Sequence, residues 1–320
     1  MKKILLIQTA FLGDVILATP VIEELKRIFP SAEIDVIVKK GNESLLSNNP
    51  YCANVVTFNK KEGKVNELLR LTKLIRSNHY DLAINLHRFG SSGILMLLSK
   101  ARLKYGFKKN PFSFSYTKKF EHTIGNGQHE VERNLSIIKE FGAMKSVRPS
   151  LFPNEQHEDK IQTFVTDNFY CIAPASVWFT KQLPQHKWLE KINQLPEDAT
   201  IYLLGGSDDL DLCNELIQSA NRKNCINLAG KLNLLESAAL ISKAKRTFVN
   251  DSGPLHLASA MNAPVTAYFC STTPKFGFGP LSEDAEVIET EEKLSCKPCG
   301  LHGYKACPKG HFKCGETISV

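Results

Sequence analysis

Four short stretches of this 320-residue chain place acids, hydroxyls, glycines and a lysine where a strand pattern gives way to a helix pattern. In "VNDSGPLHLASA" (residues 249–260) an apolar strand, Arg246 to Val249, runs into Asn250, Asp251, Ser252, Gly253 and Pro254. Ser252 suits a helix cap and Pro254 a first turn. The same helix start offers free N–H groups and a positive dipole end, which suit a phosphate. His256 reads either as a satisfied, half-buried histidine or as part of that site. In "QTAFLGDVILATP" the first strand ends, the chain turns at Gly13, and Asp14 opens a helix. A carboxylate there either caps the helix or faces the crevice where open α/β sheets bind ligands. A dinucleotide fingerprint needs three glycines at this turn, and Gly13 stands alone, which disfavours a nicotinamide oxidoreductase.

"PASVWFTKQLP" (174–184) follows another strand. Ser176, Thr180 and Lys181 suit phosphate oxygens, and Lys181 could neutralise charge on a leaving diphosphate. The plain alternative is a solvated loop. "LLGGSDDLD" (203–211) is a third strand end. Gly205 and Gly206 allow close approach of a nucleotide to the backbone. Asp208, Asp209 and Asp211 could bond a ribose, or simply favour the helix dipole. Asp209-Leu210-Asp211 also spells a short D-x-D metal pattern. The tail carries Cys296, Cys299, Cys307 and Cys314 as C-x2-C-x7-C-x6-C. That spacing is compatible with a structural zinc site of four thiolates, with His302 and His311 as substitutes. Reduced cysteines packing an irregular tail, or one redox-labile pair, are the alternatives.

Alternating elements must position these loops. Strands are expected at Lys3–Ile7, Glu33–Val38, Val55–Phe58 and Leu82–Leu86, with helices at Asp14–Phe29 (Pro20 as kink or restart), Val65–Arg76 and His129–Phe141. Residues 100–126 read as irregular and basic, a candidate contact for phosphorylated lipid or a membrane surface. "MKSVRPSLFPNEQHEDK" (144–160) breaks the pattern and reads as a linker. Beyond it, strands are expected at 169–172, 201–204, 226–228, 246–249 and 265–269, with helices at 210–220, 235–243 and 254–261. This is βαβ alternation with a mostly parallel sheet in each half, and a cleft between the halves. The boundaries are 1–152 and 153–320.

Length favours two domains, and 42 % apolar with 23 % charged residues is ordinary globular composition. A net charge of +7 permits anionic partners, but no basic stripe interleaved with aromatics calls for nucleic acid. The N-terminus imitates a signal peptide, yet Gln8 and Asp14 interrupt the apolar run. No window reaches the ~20 apolar residues of a membrane span. The expected location is cytoplasmic. Nine cysteines, an odd number, argue against a full disulfide framework.

Taken together, "FLGDVILATPVIEELKRIFP", "TKQLP", "LLGGSDD", "NDSGPLHLASAMNAPVTAYF" and "CKPCGLHGYKACPKGHFKC" resemble the ADP-heptose:lipopolysaccharide heptosyltransferases of glycosyltransferase family 9, in order and from Lys3 to Cys314. The resemblance implies a GT-B fold of two Rossmann-like domains, the first for the acceptor and the second for the nucleotide-sugar. It implies inverting transfer of a heptose from ADP-heptose to a lipopolysaccharide inner-core hydroxyl, with no required metal cofactor. Carried over, Asp14 is the general base and Lys181 the donor-phosphate lysine. Asp251, Ser252, Gly253 and His256 match the donor-binding block, and the strand-end loops add Ser176, Thr180, Gly205, Gly206, Asp208 and Asp209 to the expected donor-binding set. His87, Arg88, His129 and Arg133 fall on the acceptor side. The chain departs from the family in having no glutamate after Gly205-Gly206, so either Asp208 or Asp209 meets the ribose. Gln182 and Leu183 stand where arginine or tryptophan is common, and a crossing C-terminal helix is expected to be short or absent. Competing readings are another nucleotide-hexose transferase and a non-catalytic, metal-stapled binding protein. Peripheral contact with the inner membrane is a further expectation.

Overall fold

The computed structural model describes residues 1–144 and 148–320. The chain divides into two units, Met1–Ile124 with Gln128–Phe152, and Gly125–Gly127 with Pro153–Val320. Of the expected linker, residues 145–147 lie outside the described residues.

The first unit runs β1 (Lys3–Gln8), α1 (Leu12–Ile16), α2 (Thr19–Ile28), β2 (Glu33–Lys39), β3 (Asn54–Phe58), α3 (Lys64–Asn78), β4 (Leu82–Asn85), α4 (Gly90–Leu98), β5 (Leu103–Phe107), β6 (Lys118–Phe120) and α5 (Glu130–Ser136). All six strands are parallel, in the order β3-β2-β1-β4-β5-β6. "KILLIQ" is continuous rather than alternating because β1 is the sheet centre, covered on both faces. Pro20 starts a second helix instead of kinking one, since its missing N–H costs nothing in a first turn. Leu71 and Ile75 of α3 pack with Leu95 and Met96 of α4 over Leu5, Ile7 and Ile37.

The second unit runs α6 (Glu155–Ile161), β7 (Phe169–Ala173), α7 (Gln185–Gln194), β8 (Thr200–Leu203), α8 (Leu210–Ser219), β9 (Cys225–Asn227), α9 (Leu234–Lys243), β10 (Thr247–Asn250), α10 (Gly253–Met261), β11 (Val265–Tyr268), β12 (Ala285–Ile288) and α11 (Lys313–Glu316). Its sheet is also all parallel, ordered β12-β11-β10-β7-β8-β9. Helix α9 begins in a reciprocal cap: the Asn233 carboxamide oxygen accepts from Leu235 N and Glu236 N at 2.9 Å, and Glu236 accepts from Asn233 N at 2.8 Å. Trp188, Ile201, Leu203 and Tyr268 anchor one core that continues to Phe312, Cys314 and Ile318.

Each sheet reverses its winding once, between β1 and β4 in the first unit and between β7 and β10 in the second. A doubly wound sheet opens a crevice there, at the carboxyl ends of the strands.

Two expectations need correction. Residues 100–126 are not irregular: they hold β5 and β6, the latter an exposed "KKF" edge strand without an apolar pattern. The basic residues there do not form one patch either. Lys100 and Arg102 precede β5, whereas Lys108 and Lys109 follow it, so they lie at opposite edges of the sheet. Lys108 is paired with Glu121 and Lys118 with Glu140.

Candidate functional site

In the first unit the crevice is built from the loops after β1 and β4. Thr9 and His87 meet across it, with Thr9 Oγ1 2.8 Å from His87 Nδ1, both buried. The His87 backbone N–H donates to Asn85 Oδ1 (3.0 Å), and Asn110 Nδ2 donates to His87 O (3.0 Å). Burial, with the nearby charges of Lys60 and Arg88, pushes His87 down to about 4, so it is neutral at physiological pH.

Asp14 sits in the first turn of α1, half-buried, and accepts the Phe11 N–H at 3.2 Å. The capping role is therefore real. Yet burial, reinforced by the negative charge of Glu130, raises its pKa from 3.8 to about 6, against the pull of the Phe11 N–H and Arg88. Behind it lies a buried cluster. His122 Nε2 is 3.0 Å from both Glu130 oxygens, Arg133 Nε donates to Glu130 Oε2 at 2.7 Å, and Arg88 Nη1 is 3.5 Å from His122 Nδ1. Burial would raise the Glu130 carboxyl, but His122 and Arg133 hold it below its ordinary value. A carboxylate with a pKa near neutrality, beside a fixed charge pair, can take a proton from a hydroxyl.

Arg133 is corrected from acceptor contact to support: it is 1 % exposed and committed to Glu130 and to the Gln128 carbonyl (2.6 Å). His129 caps α5, its Nδ1 accepting Val131 N–H at 3.2 Å. Thr9, Asn85, His122 and Glu130 are missed by the sequence reading. Glu130 lies 116 residues from Asp14, and only the tertiary fold brings them close.

In the second unit Asn250, fully buried, ties the two sides of the switch point together. Its Nδ2 donates to Pro174 O (2.7 Å) and its Oδ1 accepts Leu183 N–H (2.9 Å). Next to it, Asp251 is held by Lys181 (Nζ–Oδ2 2.7 Å) and by the Thr272 hydroxyl (2.6 Å). Lys181 and Asp251, read separately from the sequence, are thus brought together at this switch point. Ser252 occupies the N-cap position of α10, but its hydroxyl reaches back to Asn250 O at 3.4 Å. The helix start has no side-chain cap, which corrects the capping expectation. Gly253 begins α10, and His256 is buried in its first turns.

Thr180 moves out of the donor set. It is 1 % exposed, and its hydroxyl oxygen accepts Tyr304 N–H (2.8 Å) and the Ser271 hydroxyl (3.0 Å). Ser176 is half-buried, its carbonyl accepting Gln182 Nε2 at 2.6 Å. In the Gly205-Gly206 loop a Cβ at Gly205 would come to 2.7 Å of the Asp209 Cβ. Asp209 closes that loop by accepting Gly206 N–H at 2.8 Å, whereas Asp208 is exposed.

The cysteine tail is a staple of hydrogen bonds. Cys299 N donates to Ser271 O (2.7 Å), and Thr180 N to Tyr304 O (3.1 Å). Gly303, at φ +77°, packs where a Cβ would lie 2.9 Å from Thr180 Oγ1 and 3.0 Å from Lys181 Cγ. The tail therefore holds the turn that presents Lys181. Among the described residues no three His, Cys, Asp or Glu side chains are grouped as a metal ion needs. Cys314 is buried in the core beside Phe312 and Cys270, within electrostatic reach of Cys296, Cys299 and Cys307. In the D-x-D stretch, Asp209 accepts the Gly206 N–H of its own loop.

The family model of glycosyltransferase family 9 (heptosyltransferase) matches residues 68–304. The chain belongs to glycosyltransferase family 9. It is therefore a glycosyltransferase, with an α/β GT-B fold of two Rossmann-like units. Lipopolysaccharide heptosyltransferase 3 of Escherichia coli is 31 % identical over 280 residues, 82 % of each chain. Lipopolysaccharide heptosyltransferase 2 of Salmonella typhimurium is 25 % identical over 319 residues, covering 89 % of this chain and 87 % of its own. Among solved structures, a family 9 glycosyltransferase from Veillonella parvula superposes with TM-score 0.81 at 22 % identity, covering 90 % of this chain and 86 % of its own. The E. coli ADP-heptose lipopolysaccharide heptosyltransferase II gives 0.78 at 23 %, covering 98 % and 97 %. No helix among the described residues is long and apolar enough to cross a membrane.

Proposed function

We propose that the protein transfers a heptose, with inversion, from ADP-heptose to a hydroxyl of the lipopolysaccharide inner core, at the cytoplasmic face of the inner membrane. The observation that carries the mechanism is Asp14: a carboxylate at the β1/β4 crevice with its pKa raised to about 6. The donor class rests on the family and on relatives such as an E. coli heptosyltransferase solved with ADP, TM-score 0.74 at 19 % identity.

The first unit binds the acceptor and the second the donor. The Asp14 carboxylate takes the proton of the acceptor hydroxyl as that oxygen attacks the anomeric carbon. The bond from that carbon to the diphosphate oxygen breaks, and ADP leaves. Base assistance of this kind is typically worth about 10²–10⁴ in rate. Lys181 and the uncapped N–H groups of α10 stabilise the charge on the departing diphosphate. Asp251 positions Lys181, and Asp208, with its carboxylate exposed, is the acid that meets the ribose.

Thermal unfolding with ADP, UDP, GDP and NAD tests the donor. A nucleotide at 100 times its dissociation constant stabilises by about 2.7 kcal/mol. A rise with ADP and turnover of ADP-heptose are expected; a rise with UDP or GDP alone would replace the donor.

A further inference from the structure

Three ionisable side chains of the first unit are buried together, and the proton transfer assigned to Asp14 uses none of them. His122, Glu130 and Arg133 are 0 %, 4 % and 1 % exposed. Glu130 is the first residue of α5, where the helix dipole favours an acid. Both of its oxygens are held: His122 Nε2 stands 3.0 Å from each, and Arg133 Nε donates to Oε2 at 2.7 Å. Arg133 is tied in turn to the Gln128 carbonyl, and the His122 ring meets that of Phe107 edge-on, centres 4.6 Å apart. A buried charge pair adds little stability over apolar side chains of the same volume. What it does provide is a charge that can neither swing away nor collect water.

The fold sets that charge beside the base. Asn134, one turn on from Glu130, donates through Nδ2 to the carbonyl of Leu17, the C-cap of α1, at 3.2 Å. Asp14 lies about one turn back from Leu17 on the same helix. The loop after β4 completes the arrangement. Leu86 N donates to Ile7 O at 3.0 Å, which holds that loop against β1, and Arg88 Nη1 stands 3.5 Å from His122 Nδ1. Two charges of opposite sign therefore act on Asp14, Glu130 from α5 and Arg88 from the loop after β4, and the anion outweighs the cation. A like charge in a poorly screened setting favours the protonated carboxyl.

We infer that Glu130 is a positioning residue for the transfer: a fixed anion, clamped by His122 and Arg133, that drives the Asp14 carboxylate to take the acceptor proton. Glu130 stays ionised throughout, and the proton passes from the acceptor hydroxyl to an Asp14 oxygen. Arg88 opposes Glu130 and limits the effect, so Asp14 is still ionised at neutral pH and ready to act as a base. The inference rests on the reading of Asp14 as the base of a glycosyl transfer.

The test follows the Asp14 carboxyl carbon by NMR against pH in the full chain without substrate, its signal assigned by its loss in Asp14→Asn. The pH profile of kcat/KM is recorded beside it. In Glu130→Gln both the Asp14 titration and the acid limb of the profile should move to lower pH by at least about half a unit. The plateau above neutral pH should fall about two- to five-fold as the base weakens. Arg88→Gln should move the Asp14 titration the other way. Glu130→Gln leaves Arg133 buried without its anion; Glu130→Gln/Arg133→Met removes both charges and should give the same downward shift where the single variant fails to fold. An Asp14 titration that neither Glu130 variant moves overturns the inference, whatever happens to the rate. So does a loss of activity equal at every pH, the mark of a merely structural role. A wild type that transfers no sugar overturns the transferase reading and this role with it; wild-type transfer with an unmoved Asp14 titration overturns this role alone.

Discussion

Replacing Asp14 with Asn should stabilise the protein while abolishing its chemistry. Burial and Glu130 raise the Asp14 pKa from 3.8 to about 6. A carboxyl that binds its proton more tightly in the folded state opposes folding once it is ionised. The opposition is absent below about pH 4, grows between 4 and 6, and is complete above 6. The displacement from 3.8 to about 6 corresponds to about 3 kcal/mol. Asp14 is half-buried, and water tempers the figure, so a gain of about 1–3 kcal/mol is expected for Asp14→Asn at pH 8. The Asn side-chain oxygen can still accept the Phe11 N–H, so the cap is kept. For a unit of this size each kcal/mol moves the melting temperature by about 2–4 °C. Thermal unfolding of both proteins between pH 4 and 8 reads the effect directly. The melting temperatures should converge at pH 4 and separate towards pH 8. A less stable Asn variant at pH 8, or a difference independent of pH, would refute the electrostatic account of Asp14.

Four further outcomes follow from the same geometry. The kcat/KM of the wild type should fall as pH drops through about 6, to about one-tenth of its plateau at pH 5, if Asp14 acts as the proposed base and must be ionised. Thr9→Val removes the partner of buried His87 Nδ1 and should cost about 1–3 kcal/mol in unfolding measurements, with the loss confined to the first unit. Lys181→Gln should weaken ADP binding about 10- to 100-fold by calorimetry, the worth of a charge-assisted hydrogen bond. Among the tail cysteines, Cys307 should alkylate first: burial opposes ionisation, but the N–H groups of Phe312, Lys309, Gly310 and His311 hold its thiol below the usual value, whereas burial raises Cys314 to about 11.

The alternation of strands and helices was legible because parallel strands covered on both faces are continuous apolar runs, as in "KILLIQ" and "VTAY". β6 and β12 escaped because "KKF" and "AEVI" are exposed edge strands, where no apolar pattern is required. Asp14, Lys181 and Asp251 were legible from their places after β1, β7 and β10. Their partners were not. Thr180 looks like a ligand hydroxyl in "FTKQLP", and nothing local says that Tyr304, 124 residues on, takes its oxygen. Arg133 looks like a free cation until Glu130 and its burial are seen. The cysteine spacing shows a grouped tail, but nothing local shows that the same segment braces the Lys181 turn through Cys299, Gly303 and Tyr304.

The most direct test of the account is a transfer assay with ADP-heptose and an inner-core acceptor, comparing wild type with Asp14→Asn, with ADP binding measured on both. The account predicts equal ADP binding and a loss of transfer of at least about 10²-fold in the variant. Full transfer by Asp14→Asn with ADP binding intact would contradict it.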